Sequence, residues 1–409
     1  MDSEQQAPST DRFTRKKEAI IAAATGILNR RGVKGMTLGD VAASVDLITT
    51  SVTYYFKKKE DLAVACFLSS IERFDRLISA ALGAPDPRQR LLRFLTLYLD
   101  LNRRIRLGHE APMAVFSDIR ALKEPHLTAV LTAYNELFRK VRALFQTDGA
   151  EWMDRKAANA RTHILLEQVL WSAAWLGRYD TEDYSRIGER FFDILANGLG
   201  AKSAAWQPAR VPELHVAPVG AQERARETFL NAATKLINQR GYRGASVEKI
   251  SAQLNVTKGS FYHHNDAKDD LVIACFERTF DVMRRVQSIA MKMQGNHWAQ
   301  LCAAAATLVD YQVSDEGPLL RTSAISALPE GIRQDVLTRW NRVSDRFSAM
   351  ISDGIAEGSV RAVDPVIAAH MLNATLNAAA SLMSVVTGAE RHEAVSLYAK
   401  PMLMGIFAR

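Results

Sequence analysis

The chain contains the same pattern of residues twice. Residues 20–67 align with residues 229–276 without a gap, at a constant offset of 209 positions. About fifteen of some 48 aligned residues are identical, which marks an internal repeat. Because matching residue spacing favours matching helices and turns, this repeat predicts a chain of two similar units.

The repetition continues beyond this segment. VLTAYN at 130–135 reappears as VLTRWN at 336–341, and FSDIRAL at 116–122 compares with TSAISAL at 322–328. The whole unit is therefore duplicated. The total length of 409 residues is consistent with two units, since domains usually have about 100–200 residues.

Between the two units lies a segment with three prolines, which favours an extended linker. We predict the following organisation: a helix-turn-helix domain at 12–62, a helical domain at 63–200, a linker at 201–221, a second helix-turn-helix domain at 222–271 and a second helical domain at 272–409.

Apolar residues recur at helical spacing throughout, and strand-like alternation is nearly absent, so we predict an all-α fold. The polar residues 1–11 are expected to be disordered. The apolar stripe from Arg15 to Arg31 predicts a helix that ends at Gly32. A further long helix is predicted in each unit, beginning near Lys59 in the first and near Lys268 in the second.

Two short helices are predicted between these longer ones. Thr37 and Asp40 have the spacing of a capping box at the start of the first short helix. The turn Asp46-Leu47 separates it from a second short helix near 49–56. Two short helices joined by a tight turn are typical of a helix-turn-helix, whose second helix enters the major groove of DNA.

Composition favours some classes of function and argues against others. The net charge of +7 and the pI near 9.3 favour an anionic partner. Three cysteines are too few for a disulfide scaffold, and Cys66 and Cys275 fit small core positions. We expect no metal, no cofactor and no catalytic residue, since enzyme and metal-site motifs are absent, and neighbouring His263 and His264 point apart on a helix.

Polar residue patterns also argue against a membrane protein. The start of the chain lacks the apolar core of a secretory signal. The longest apolar stretch, 371–386, is interrupted by asparagines and serines and reads as a buried helix. We therefore expect a cytoplasmic protein, in the nucleoid-associated pool of a bacterium, with no membrane partner.

At this point the chain resembles the tetracycline-repressor (TetR) family of bacterial transcription regulators. The second unit matches through VTKGSFYHH and the run from Lys268 to Leu271, and the first through GMTLGDVAASV and TTSVTYYFKKKEDL. A further shared trait is GIAEGSVRAVDP at 354–365. The resemblance is specific only in the two helix-turn-helix domains, which we call reader 1 and reader 2.

The resemblance implies that both readers bind double-stranded operator DNA. Residues at the short helices would approach base edges, and threonine, serine and lysine side chains nearby would hold phosphates. The predicted DNA-binding residues of reader 1 are Arg15, Lys16, Thr37, Thr49, Thr50, Ser51, Thr53, Tyr54, Tyr55, Lys58 and Lys59. Those of reader 2 are Ser246, Thr257, Lys258, Gly259, Ser260, Tyr262, His263 and Lys268.

The two readers differ in ways that matter for DNA. Phe56 of reader 1 is Asn265 in reader 2, and Asp266 stands where reader 1 has a lysine. Asp266 would repel a phosphate, although it also suits a helix N-cap. Reader 1 is the more basic, so reader 2 is expected to bind DNA more weakly.

The family also implies a small-molecule effector that binds inside the helical domains and changes the spacing of the readers. We nominate as effector-binding residues His109, Trp171, Trp175, Tyr311, Arg321, Trp340 and His370. Arg321 could pair with an acidic ligand. For aromatic residues such as these, ordinary core packing is the commoner role. His and Arg residues are more commonly exposed to solvent or hydrogen-bonded within the protein.

Together these features predict an effector-responsive transcription regulator, a repressor in most of the family and not an enzyme. Its two units would pair within one chain as a pseudo-dimer. One alternative is that each unit pairs with its copy in a second chain, as a homodimer with four readers. Another is a helical small-molecule-binding protein in which one or both readers are vestigial.

Overall fold

The computed structural model describes residues 7–147, 153–211, 220–244, 252 and 268–408. Within these ranges the predicted all-α fold is confirmed, since the β pairing there is one isolated bridge between Gly200 and Val360. The helices of the first unit are α1 (Ala7–Gly35), α2 (Leu38–Ser44), α3 (Thr49–Tyr55), α4 (Lys59–Leu82), α5 (Pro87–Arg106), α6 (His126–Ala143), α7 (Arg155–Trp175) and α8 (Tyr184–Asn197).

The described helices of the second unit are α9 (Ala221–Gly244), α10 (Lys268–Ala290), α11 (His297–Gln312), α12 (Glu330–Glu357), α13 (Pro365–Ala379), α14 (Leu382–Val385) and α15 (Lys400–Met404). Each unit also has a six-residue 3₁₀ helix at a matching place, Phe116–Ala121 in the first and Thr322–Ala327 in the second.

Matched glycines interrupt the first long helix of each unit, three residues before its last residue. Gly32 has φ 65° and Gly241 has φ 70°, a region that residues with a side chain rarely adopt. The helix stop predicted at Gly32 is thus a break in α1, which continues to Gly35. The expected disorder of residues 1–11 is wrong for residues 7–11, because α1 begins at Ala7.

Matched asparagines join α1 and α9 to the helical domains. Asn29 donates to the carbonyl of Met113 at 2.8 Å and accepts from the N–H of Val115 at 2.9 Å. Asn238 makes the same pair of bonds to Leu319 and Arg321, at 2.9 and 3.0 Å. The identity of these asparagines in the repeat thus has a structural reason, which is to fix each reader to the segment before its 3₁₀ helix.

The two units pack against each other through α7 and α13. Gln168 of α7 is buried and donates to the carbonyl of Met371 at 2.7 Å and to Thr375 Oγ1 at 2.9 Å. Arg161 donates to the carbonyls of Ile406 and Ala408 at 2.7 and 2.6 Å. The boundary between the units is therefore a continuous helical core with its polar groups paired.

A buried ion pair lies at this boundary. Glu167 of α7 is 2.8 Å from Arg321, and their side chains are 18% and 14% exposed. Glu167 also accepts from Asn377 Nδ2 at 2.8 Å and lies 3.7 Å from His163 Nε2. Burial alone would raise the pKa of Glu167, but Arg321, His163 and Asn377 hold it at about 2.

The described part of the linker lies along the second unit. The N–H of Val211 donates to Thr307 Oγ1 at 3.0 Å, and Trp298 donates to the carbonyl of Ala205 at 3.0 Å. Pro401 lies in the first turn of α15, and a π-helical turn, Val395–Ala399, lies just before that helix. The predicted domain boundaries stay predictions, and α4 runs without a break across the one between residues 62 and 63.

We predict that Glu167→Gln destabilises the protein at pH 7 by roughly 3–5 kcal/mol, because Arg321 would stay buried without its counter-charge. The pKa of Glu167 is lowered from 4.5 to about 2, so its contribution is complete above pH 4.5 and is lost as the pH falls toward 2. Urea unfolding at pH 7 and at lower pH measures the difference from the wild type.

The exposed Glu189 on α8 provides the matched control, since Glu189→Gln removes the same charge from a solvated site. It should change the unfolding free energy by less than about 0.5 kcal/mol. A deficit of Glu167→Gln that stayed constant between pH 5 and pH 3 would contradict the role assigned to the ion pair.

Candidate DNA-reading surface and effector core

The first short helix of reader 1 has the predicted cap. The N–H of Asp40 donates to Thr37 Oγ1 at 3.1 Å, and the Thr37 hydroxyl donates to Asp40 Oδ2 at 2.8 Å. Arg31 approaches the same carboxylate at 2.8 Å. The Thr37 hydroxyl is thus engaged within the protein, and its exposed position still allows a phosphate to approach the start of α2.

The second short helix, α3, has one buried and one open face. Val52 is fully buried and fixes the helix on the core, whereas Thr49, Thr50 and Tyr54 are exposed. Ser51 is half-buried. The open face therefore presents the side chains expected at base edges.

The Thr53 hydroxyl is turned away from the open face of α3. It donates to the carbonyls of Thr49 and Thr50 at 3.1 and 3.0 Å, within its own helix. A hydroxyl bonded back to its own helix is a weaker candidate for DNA contact, since it would have to give up these bonds first.

Three aromatic rings support α3 from the start of α1. The ring of Phe13 lies 4.7 Å from that of Tyr55 and 6.1 Å from that of Tyr54, and the two tyrosine rings are 5.3 Å apart. Tyr55 therefore acts mainly in packing, while Tyr54 remains 69% exposed. Phe13 could not be identified from the sequence, because only the folded chain brings residue 13 beside α3.

The basic residues predicted to bind DNA in reader 1 fall into two groups. Arg15, Lys16 and Lys58 have exposed side chains beside the open face. Lys59 is half-buried and donates to the carbonyl of Lys34 at 2.9 Å, which ties α4 to the end of α1. An ammonium has three donors, so Lys59 retains capacity for a phosphate.

Most predicted residues of reader 2 lie outside the described part of the chain. These are Ser246, Thr257, Lys258, Gly259, Ser260, Tyr262 and His263. Lys268 begins α10 as predicted. The roles of all these residues stay predictions.

The 3₁₀ helices connect the readers across the unit boundary. Asp118 accepts from the N–H of Val33 at 2.6 Å in reader 1. Arg120, on the same 3₁₀ helix, donates to the carbonyls of Asn238 and Gln239 at 2.7 and 3.1 Å, on α9 of reader 2. The 3₁₀ helix of the first unit is thus hydrogen-bonded to α1 of reader 1 and to α9 of reader 2.

Four of the nominated effector residues come together at the unit boundary. Trp171 and Trp340 are in edge contact, with ring centroids 5.8 Å apart. Trp175 stacks on His370 at 5.6 Å, and Arg178 donates to His370 Nε2 at 3.2 Å. Burial and the charge of Arg178 lower the pKa of His370 to about 4, so this ring is neutral at pH 7.

The other three nominated residues lie elsewhere. Arg321, expected to pair with an acidic ligand, instead pairs with Glu167 of the first unit, because a carboxylate of the protein already lies there. Tyr311 accepts from Arg278 Nη2 at 2.9 Å and belongs to the packing between α10 and α11. His109 is exposed after the end of α5, away from the cluster.

The aromatic cluster adjoins buried polar atoms that lack a hydrogen-bond partner within the described residues. Two are acceptors, Gln287 Oε1 and Asn373 Oδ1, and three are donors, Trp171 Nε1, Trp340 Nε1 and His370 Nδ1. The Gln287 amide donates to the carbonyl of Val343, next to the Ser344 hydroxyl that accepts from Asn373. Buried polar groups are nearly always paired, so this set of unpaired atoms is unusual for a packed core.

The described residues also bear on metal binding and on insertion into a membrane. Among the described residues, no three His, Cys, Asp or Glu side chains are grouped so that they could hold a metal ion. None of the described helices is long and apolar enough to cross a membrane.

Comparison with known proteins gives matches in both repeats. The family model described as "Bacterial regulatory proteins, tetR family" matches residues 20–66 and residues 229–275. These are the helix-turn-helix segments of reader 1 and reader 2.

Relatives match about one unit of the chain. The transposon Tn10 TetC protein of Escherichia coli is 24% identical over 155 residues, which cover 37% of this chain and 78% of that protein. The HTH-type transcriptional repressor DhaR of Mycobacterium sp. (strain GP1) is 25% identical over 144 residues, which cover 34% of this chain and 72% of DhaR. The crystal structure of AibR in complex with isovaleryl coenzyme A and operator DNA has 21% identity and a TM-score of 0.37, and the match covers 45% of this chain and 98% of AibR.

Proposed function

This chain belongs to the tetR family of bacterial regulatory proteins and carries the DNA-binding domain of the family twice, and from that premise we propose that it is a single-chain, effector-responsive repressor. In this proposal the two units of one chain pair as a pseudo-dimer in the bacterial cytoplasm. The protein has no enzymatic activity. The observation that carries the proposal is the buried contact of α7 with α13, which joins two units that each bear a reader.

Reader 1 has the surface that operator binding needs. Its groove helix α3 presents Thr49, Thr50 and Tyr54 to solvent, and Lys16 and Lys58 are exposed beside it. Short polar side chains can bond base edges, and lysines can neutralise phosphates. Reader 2 has a different sequence on the matching segment, so we expect an operator with two unequal half-sites about one to one and a half helical turns apart.

Pairing within one chain is favoured by the chemistry at the unit boundary. Glu167 and Asn377 hold the same position counted from the capping residues Asp154 and Asp364 of α7 and α13, and they bond to each other. A pair of two first units would bring two Glu167 carboxylates together without Arg321. Because like charges repel strongly when buried, this arrangement disfavours the four-reader alternative.

An effector at the aromatic cluster would act on both readers. The cluster joins α7 of the first unit to α12 and α13 of the second, through Trp171, Trp340 and His370. The 3₁₀ helices of both units pack against α9, and that of the second also packs against α1. A ligand that bound one arrangement of the units more tightly would therefore shift the spacing of the readers. The relative DhaR is named as a transcriptional repressor, which supports the repressor part of the proposal.

Footprinting on an operator selected from random DNA tests the two-reader proposal. We predict that one chain protects both half-sites. Thr49→Ala with Tyr54→Ala should abolish protection of one half-site, and Thr257→Ala with Lys258→Ala should weaken protection of the other. Lys202→Ala, at an exposed position of the linker, is the control. Protection of a single half-site by the wild-type chain would contradict the pseudo-dimer.

The effector site is tested with Gln287→Leu. Leucine would remove the buried Oε1, which lacks a partner, together with the bond of the same amide to the carbonyl of Val343. These two effects oppose each other, so the thermal midpoint should change little. The same variant should lose the response to ligand, measured as release from the operator by the small-molecule fraction of a cell extract. Gln334→Leu on the exposed face of α12 is the control. A variant that kept the full response would contradict the proposed site.

A further inference from the structure

Ile48 has the most exposed large apolar side chain in the described part of the chain, at 71%. It lies on the DNA-reading surface, directly before α3 and beside the exposed Thr49 and Thr50. Val52 already makes the core contact of α3. The isoleucine therefore contributes little to packing, and burial in the fold does not explain it.

The position also argues against a structural role. Ile48 occupies the cap position of α3 and makes no side-chain cap, whereas Thr37 does cap α2 in the same reader. A serine or threonine would stabilise α3 here, and an isoleucine does not. Reader 2 has Thr257 at the matched position, 209 residues later. Reader 1 thus departs from the stabilising choice where its surface meets DNA.

The partner that fits an exposed branched apolar side chain in the major groove is the methyl group of thymine. The other groups that the base edges present there are hydrogen-bond donors and acceptors. Ile48 has no polar side-chain atom to use with them.

We propose that Ile48 is a specificity-determining residue that reads a thymine by packing against its C5 methyl group. The inference rests on the proposed DNA-binding function and adds the base that reader 1 selects. Because Thr257 has a hydroxyl at the matched position, the two half-sites differ at this base pair.

The test uses the full-length protein and an operator selected from random DNA. Each thymine of the half-site of reader 1 is replaced in turn by deoxyuridine, which removes only the methyl group, and affinity is measured by fluorescence anisotropy. We expect one position at which affinity falls about fourfold, the factor that corresponds to burial of one methyl-sized group, ~0.8 kcal/mol.

Two variants separate recognition from folding. Ile48→Ser should bind the thymine and deoxyuridine operators equally at that position, while its thermal midpoint stays the same or rises because serine caps α3. Ile48→Val keeps the branched apolar group and should keep the preference for thymine. Opposite changes in thermal midpoint and thymine preference would be the signature of a residue retained for DNA reading.

Three results would overturn the inference. They are a half-site of reader 1 without thymine, unchanged affinity after every replacement by deoxyuridine, and a full thymine preference in Ile48→Ser. A failure to select any DNA sequence would overturn the proposed function itself. Selection of an operator with unchanged affinity for deoxyuridine would overturn only the role of Ile48.

Discussion

The ion pair of Glu167 with Arg321 connects the parts of this molecule that matter for its function. Each partner belongs to a different unit, and both are largely buried. The strongest stabilisation of the Glu167 charge comes from Arg321 of the other unit, and a buried charge that loses such a partner is strongly destabilising. The two units therefore depend on each other, and the α7–α13 boundary is part of the core of the molecule.

The same ion pair is close to the supports of reader 2. The backbone of Arg321 donates to Asn238 of α9, and Arg120 of the first unit donates to the carbonyl of that asparagine. In the first unit, Asn29 makes the matching bond to Val115, which has no charge. The two units thus share the asparagine hydrogen bonds, but they differ in charge where Val115 of the first unit matches Arg321 of the second. Two readers held by one asymmetric core suit two unequal half-sites.

The sequence predicted the parts of the fold that depend on local chemistry. The break of α1 at Gly32 follows from the conformational freedom of glycine, and the cap at Thr37 follows from the capping-box spacing. The start of α4 follows from the helical periodicity of its apolar residues. The partners of Arg321 and Phe13 could not be predicted, because residues distant in sequence provide them. A ligand was expected beside Arg321, since a single sequence does not show that Glu167 of the other unit reaches it.

The central claim is that the two units of one chain pair with each other. The most direct measurement is the mass of the full-length protein in solution, by sedimentation equilibrium over a wide range of concentrations. The account predicts a single species of 45.4 kDa, the mass of one chain. A stable species of twice that mass, persisting at the lowest concentration, would contradict it.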